Sequence, residues 1–418
     1  MEPLPKVRTE RKVPRWSELR ELIQLDRISL SPTRRRLHAA LSIDDLRRIA
    51  RRTTPRAVFD YVDGAAEEEV TADRNTQAFA ELTFHPDALR SVKDPDPSVQ
   101  IFDRRWAMPL GFAPTGYTRM MHHHGEAAVA RVAERAGIPY ALSTVGTTVV
   151  EDVRAAAPEV DLWFQLYVTA DTALNERLLR RAARAGCSTL VLTCDTAVSG
   201  YRRRDDRNGL TIPPSLRPST IADMALHPYW WVNKLTTEQI RFASLADRHG
   251  KLDFNQIAST VFDPSISVDS LDWVREHWSG RLLVKGILSV EGAREVVAHG
   301  ADGVVLSNHG GRQLDRTPAP LSVLPAVREA LGPQVPILLD SGVRNGQDVL
   351  AARALGADAA LVGRSYLYGL MAGGQDGVLR AYEILAAEYQ RALQLLGVRR
   401  TDDLDRRHVS QPLWLRDA

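Results

Sequence analysis

The sequence predicts an α/β protein: a closed (β/α)8 TIM barrel with an N-terminal helical arm and one long excursion after the fourth strand. Three observations predict it. From residue 109 onward, short apolar β-rich runs alternate with Ala-, Arg- and Glu-rich runs of helical period, the pattern of parallel strands joined by helices. The apolar runs number eight, the count at which such a sheet closes on itself. No G-x-G-x-x-G follows the first run, which argues against the runner-up, a doubly wound open sheet.

The elements follow in order. Residues 1–40 read as a basic arm and 41–418 as the barrel domain. Residues 1–56 hold fifteen Lys/Arg against seven Asp/Glu, densest at Arg34–Arg36, Arg47–Arg48 and Arg51–Arg52. One reading is attraction to anionic lipid or another acidic partner. The favoured one is a solvated arm packed on the main body, because acidic residues are interspersed and no basic run is long. LSIDDLRRIARR (41–52) has helical spacing with Ser42 as N-cap, and TPRAVFDYVDGAAEEEV (54–70) is expected to continue as helix.

The strand candidates are 109–114, 139–144, 161–167, 188–195, 281–286, 303–308, 336–340 and 359–364. Helical runs at 125–137, 175–186, 290–300 and 346–356 lie between them, each ending in Gly, the usual residue just past a helix C-terminus. The interval 196–280 breaks the rhythm. It is too long for a connector and reads as a loop or small subdomain. It carries HPYWWVNKL (227–235). Trp230 and Trp231 near Lys234 suit either a membrane interface or, as favoured here, packing of the excursion onto the barrel.

Composition narrows the class. The 418 residues are 44% apolar and 25% charged, with net charge +2, a balance that excludes a nucleic-acid binder of the whole molecule. Two cysteines, Cys187 and Cys194, are too few for a disulfide framework and point to a reducing cytoplasm. No early apolar run resembles a signal peptide, and none is long enough to span a membrane.

A (β/α)8 barrel builds its site at the C-terminal strand ends. Those ends read Pro114-Thr115-Gly116, Ser143-Thr144, Gln165-Leu166-Tyr167, Thr193-Cys194-Asp195, Lys285-Gly286, Ser307-Asn308-His309, Asp340-Ser341-Gly342-Val343-Arg344 and Gly363-Arg364. Eight polar ends at one mouth predict a polar site of substantial size. The last two place glycines beside Arg344 and Arg364, where barrels commonly bind phosphate. Lys285, at the end of an apolar strand, needs a facing charge if buried, and a ligand that becomes anionic suits it. His309 and Arg312, with Arg202 as a second cation, suit a carboxylate substrate deprotonated by a neutral imidazole. Asp195 is placed to hold that imidazole.

His122-His123-His124 invites a metal reading, but adjacent histidines are not expected to converge on one ion and no supporting carboxylate or cysteine spacing is present; no metal is expected. Cys194 should point away from the site, as the residue between Thr193 and Asp195.

SNHGGRQLD (307–315), with FDYVDGAAEEE, APTG, FQLY, LTCDT, RRDDRNG, LVKG, LLDSGVR and LVGR in order, resembles the FMN-dependent 2-hydroxy-acid oxidases and dehydrogenases over roughly residues 40–410. The arm, LHPYWWVNKLTT and the LLGV…RHV ending look most like the quinone-type L-lactate dehydrogenase branch. The resemblance implies the following roles. His309 is the base and Asp195 its carboxylate partner. Arg202 and Arg312 grip the substrate carboxylate, Tyr167 bonds the substrate hydroxyl and Tyr61 helps bind substrate. The FMN ring lies against Pro114, Thr115 and Gly116, while Ser143, Gln165, Thr193 and Ser307 bond its polar edge or ribityl chain. Lys285 faces the N1–C2 carbonyl edge. Asp340, Gly342, Arg344, Gly363 and Arg364 take the ribityl and phosphate end.

It further implies oxidation of an L-2-hydroxy acid, foremost L-lactate to pyruvate. Electrons would pass to a quinone or other carrier. It implies a homo-oligomer (a tetramer). The two cysteines suit the cytoplasm, and the basic arm with the Trp230/Trp231 excursion fits peripheral contact with the inner face of the cell membrane. This chain departs from the family at Ala65, where a second glycine is usual. It has Gly116 where oxidases often have Ala, and Val145 in place of a pocket Trp. Mandelate, glycolate or a longer acid with oxygen as acceptor remains open. So do a premycofactocin-synthase-like maturase and, from another class, a non-redox phosphate-binding barrel.

Overall fold

The structure is a computed structural model that describes residues 12–13, 15–22, 31–210, 217–240, 242–243, 245 and 263–412. Eight parallel strands close into a barrel. They are β1 (Leu110–Phe112), β2 (Tyr140–Ser143), β3 (Leu162–Leu166), β4 (Thr189–Thr193), β5 (Arg281–Ile287), β6 (Gly303–Leu306), β7 (Ile337–Leu339) and β8 (Ala359–Val362). Each falls inside its predicted apolar run or within one residue of it. β8 pairs with β1, Leu361 opposite Gly111, and closes the ring.

The two faces of the strands bury two separate cores. Inward residues Ala141, Trp163, Val191, Leu283, Val305 and Leu338 meet Val99, Ile101 and Trp106 of an antiparallel hairpin (Val99–Ile101 with Arg104–Trp106). Trp106 and Trp163 sit 5.6 Å apart between ring centroids, so the barrel is filled rather than hollow. Outward residues pack under the helices, including Gly125–Ala136, Thr172–Arg184, Val290–Ala298 and Gly346–Ala354. Gly137, the predicted helix stop, has φ 65°, a conformation that favours glycine.

Helix Ile43–Thr53 starts at Ser42. The Ser42 side chain accepts from the Asp45 N–H, and Asp45 caps the Ser42 backbone in return, a reciprocal capping box. Leu37, Ile43, Leu46 and Ala50 are buried, so residues 32–53 lie against the main body, on the long C-terminal helix Arg364–Leu396. Several of their arginines meet carboxylates, Arg34 with Asp376 and Arg47 with Asp63.

One expected element is shortened. The helix expected over 54–70 covers only Arg56–Asp63; a loop follows, and the next helix, Val70–Ala80, begins where the predicted one should end. The break has a structural use. The carbonyls of Tyr61, Val62 and Gly64, left open at the helix end, accept hydrogen bonds from the guanidinium groups of Arg312 and Arg364. Positive φ falls on Glu67 and Glu69 rather than on Ala65, so alanine is tolerated in the loop.

The excursion contributes helices Arg203–Asn208, Pro218–Ala225, Pro228–Thr236 and Val268–His277. Trp230 is half-buried, and its Nε1 donates to the Met120 carbonyl at 2.8 Å. Lys234 Nζ donates to the Arg119 carbonyl at 3.0 Å. Both therefore face the loop after β1 rather than solvent, and of the tryptophan pair Trp231 is the more outward. No helix among the described residues is long and apolar enough to cross a membrane.

Candidate active site

The strand ends converge on one cleft, lined by Lys285 of β5 and by the C-terminal ends or following loops of the other seven strands, together with Tyr61. At its centre His309 Nδ1 lies 3.0 Å from Asp195 Oδ1. A carboxylate only accepts, so Nδ1 carries the proton and Nε2 is the free basic nitrogen. Burial alone would raise the Asp195 pKa, but the neighbouring His309 and Lys285 outweigh it and hold it below the usual carboxylate value. Asp195 comes close because residue 286 is glycine: a Cβ there would stand 2.8 Å from that of Asp195.

His309 has φ 57°, followed by Gly310 at 66° and Gly311 at 74°. Three successive residues in the left-handed region are held by their surroundings. Asn308 Oδ1 accepts from the Gly311 N–H, and the amides of Asn308 and Asn75 exchange hydrogen bonds at 2.7 and 2.8 Å. A Cβ on Gly311 would meet the Ala72 backbone nitrogen at 2.7 Å. The second glycine therefore lets the loop dock on helix Val70–Ala80.

Arg202 and Arg312 both approach the Tyr61 ring, at 5.9 and 4.9 Å. Arg202 is paired with Asp205 at 2.7 Å. Arg312 is half-buried with only backbone acceptors, from Tyr61 and Gly64. Burial and the nearby Arg202 push its pKa down. Two cations meet across one aromatic ring with a single carboxylate between them, which suits an added anion. Burial raises the Tyr167 phenol, so it stands as a neutral donor.

Lys285 is buried. Its Nζ donates to Ser307 Oγ at 2.7 Å and pairs with Asp340 Oδ2 at 3.2 Å. Burial disfavours its charge, but Asp340 and Asp195 outweigh that and raise its pKa. The facing charge expected from a ligand is thus already supplied in part by the protein. Pro114, Thr115, Gly116 and Ser143 line the cleft. Gln165, Thr193 and Ser307 stand behind its wall instead. Gln165 accepts from Ser143 and donates to Thr193, while Ser307 accepts from Lys285 and from the His309 N–H.

At the far end Asp340, Gly342, Arg344, Gly363 and Arg364 line the cleft. Arg364 donates to the carbonyls of Val62, Gly310 and Gly64. Among the described residues no carboxylate lies within 4.0 Å of the Arg344 or Arg364 guanidinium, although the Arg344 N–H donates to Asp348 Oδ2. Burial pushes Arg364 down to about 10, with Arg312 and Arg344 adding to the effect. Half-buried guanidinium groups without counter-ions beside glycine backbone are the donor set a phosphate monoester requires. With the apolar stretch against the loop after β1, these residues fit FMN.

Sequence reading missed four residues. Ser341 Oγ accepts from the Gly310 N–H and donates to Asp340. Gln313 ties the loops together, donating to the carbonyls of Asp195 and Val198 and accepting from the Gly200 N–H. Both stand inside motifs already quoted, so their hydrogen-bonding type was the available signal. Tyr117 and Phe242 also line the cleft; an isolated aromatic in a loop carries no periodic signal.

Cys194 Sγ donates to the Lys285 carbonyl, and burial pushes its thiol up to about 12, so it is inert. His122, His123 and His124 come closer than expected, with candidate ligand atoms all within 4.8 Å of one another. The first two rings stack at 24° rather than aiming at a common centre. Arg119 and Lys234 stand nearby, adding positive charge.

The model of the FMN-dependent dehydrogenase family matches residues 50–411. A Mycobacterium tuberculosis protein named, provisionally, L-lactate dehydrogenase is 49% identical, covering 96% of each chain. The L-lactate dehydrogenase of Caulobacter vibrioides is 41% identical over 86% of this chain and 94% of its own. Among solved structures, a monotopic membrane protein, (S)-mandelate dehydrogenase, superposes with a TM-score of 0.86 at 36% identity, over 90% of this chain and all of that one. These likenesses set aside the non-redox barrel. The chain belongs to the FMN-dependent dehydrogenases and is a 2-hydroxy-acid dehydrogenase with FMN as cofactor.

Proposed function

We propose that this enzyme oxidises L-lactate to pyruvate and passes the electrons to a quinone or other carrier. The observation that carries the reading is the His309–Asp195 pair facing the same cleft as Arg202 and Arg312. Arg202, Arg312 and Tyr61 bind the substrate carboxylate. Tyr167 donates to the substrate hydroxyl oxygen. Oxidation of the carbinol removes two electrons and two protons, and Nε2 of His309 takes one of those protons. The imidazolium that forms is stabilised by Asp195, already ionised beside it. When bound, FMN would supply the acceptor for the two electrons and the second proton. Pro114, Thr115, Gly116 and Ser143 would hold its ring, backed by Gln165, Thr193 and Ser307. Lys285 is the cation for its reducible edge, and Asp340, Gly342, Arg344, Gly363 and Arg364 would hold its ribityl phosphate.

The names carried by the relatives at 49% and 41% identity support lactate. A second reading, (S)-mandelate or another 2-hydroxy acid, is favoured by the mandelate dehydrogenase likeness and by the modest Val145 in the cleft wall. Peripheral membrane contact at the inner face, with a homotetrameric assembly in the cytoplasm, completes the proposal. It is supported by outward apolar side chains on two excursion helices, Ile221, Tyr229, Trp231, Val232 and Leu235, a composition suited to a bilayer interface.

Anaerobic mixing of the yellow protein with L- and D-2-hydroxy acids tests the substrate, followed by reoxidation with oxygen or a quinone analogue. L-Lactate should bleach the flavin and the quinone analogue restore it faster than oxygen. Bleaching by mandelate but not by lactate would establish the second reading.

A further inference from the structure

The cleft contains one buried polar group without a role. Tyr117 follows the Pro114–Gly116 loop, with φ 56° and its N–H donating to the Val145 carbonyl at 3.1 Å. Its ring packs edge to face against two others. Tyr61 lies 5.7 Å away at 71°, and Phe242 of the excursion 4.5 Å away at 81°. Among the described residues the Tyr117 hydroxyl has no hydrogen-bond partner, although it is buried. A buried hydroxyl left unsatisfied destabilises the fold, so such a group in a ligand cleft points to the ligand.

Its surroundings indicate which part of the ligand. Tyr117 packs on the ring of Tyr61, and that ring carries Arg312 and Arg202 at 4.9 and 5.9 Å. Burial, and then Tyr61, keep the phenol protonated, with Arg202 close enough to oppose them. An O–H donor near Arg202, packed on the aromatic ring that Arg312 also approaches, is placed for an anionic oxygen.

Resting on the hydroxy-acid reading above, we propose that Tyr117 is a substrate-binding residue whose phenol donates a hydrogen bond to the substrate carboxylate, with Phe242 holding the ring in place. The excursion is then part of the substrate site, because Phe242 reaches the cleft from it.

Tyr117→Phe keeps the ring and removes only the hydroxyl. In the FMN-loaded enzyme, oxalate and pyruvate serve as carboxylates that are not oxidised, and their Kd is read from the flavin absorption change. The Kd for oxalate should rise about tenfold, as should KM for L-lactate, with kcat the smaller effect. Without oxalate the variant should melt at the same temperature as the parent or higher, since an unsatisfied hydroxyl has gone. With saturating oxalate its Tm gain should be smaller. An unchanged oxalate Kd overturns the proposal, as does a lower Tm without ligand, which marks a structural hydroxyl. A gain in activity on longer apolar acids overturns it too, by placing the hydroxyl against the substituent. If no 2-hydroxy acid bleaches the parent enzyme, the function fails whatever Tyr117 does; if the parent bleaches and the variant matches it, only this inference fails.

Discussion

Asp195 Oδ1 lies 3.0 Å from His309 Nδ1, while its other carboxylate oxygen is buried without a hydrogen-bond partner. One oxygen fixes the tautomer of the imidazole, and the second keeps negative charge beside it that no hydrogen bond occupies. That charge is what a histidine about to accept a proton requires. Asp195→Asn keeps the shape and removes the charge. It should retain FMN and slow anaerobic flavin bleaching by about 10²–10⁴-fold. The pH dependence has a definite sign. The folded-state pKa of Asp195 is depressed, so its contribution to stability is present above pH ~4 and is lost as pH falls through the lowered value. The variant should lose part of the parent's fall in Tm on acidification. A variant that bleaches at the parental rate removes Asp195 from the chemistry.

Arg364 is half-buried, without a carboxylate partner among the described residues, and it is aimed by three carbonyls. Its neighbour Gly310 has φ 66°, and a Cβ there would stand 2.5 Å from Arg364 Nη1. Arg364→Met should weaken FMN binding by roughly 10–100-fold, the range of a charge-assisted hydrogen bond. Gly310→Ala should act in the same direction by displacing the guanidinium. Quenching of flavin fluorescence on titration into apoprotein reads both. Parental FMN affinity in Arg364→Met would show that the phosphate is held elsewhere.

How much of this was legible in sequence varies with the kind of signal. The eight strands were readable because buried parallel strands are short apolar runs between helical periods, and β1 through β8 fall where those runs lie. The site was readable because a barrel sends its strand ends to one mouth, so His309, Asp195, Arg312 and Lys285 could be grouped before any coordinate. The break at 64–69 was not. Helical periodicity carries through it, and what ends the helix is tertiary, the demand of Arg312 and Arg364 for the carbonyls of Tyr61, Val62 and Gly64. The Lys285–Asp340 pair was missed for a similar reason. Fifty-five positions separate the two residues, and only the closed barrel, with β5 and β7 on either side of β6, brings them to 3.2 Å. The inward turn of Trp230 also depends on a remote acceptor, the Met120 carbonyl.

That inward turn makes the docking of the excursion sensitive to pH. Lys234, one turn beyond Trp230 on helix Pro228–Thr236, is pushed down to about 7 by burial and by Arg119, against the opposing pull of Glu126. The rings of His122 and His123 stand close by. Burial is the main cause that lowers both, His122 to about 3. For each of these groups the docked state prefers the neutral form. Between pH 7 and about 10 the released chain binds more protons at Lys234 than the docked one, so docking strengthens as pH rises through this range and is weakest below it. Limited proteolysis within residues 217–240 should therefore be faster at pH 6 than at pH 9, after correction for protease activity on an unfolded substrate. Lys234→Met keeps the apolar stem and removes the titrating amine, and should flatten most of that difference. Equal cleavage of the parent at the two pH values would mean that Lys234 keeps its charge when docked.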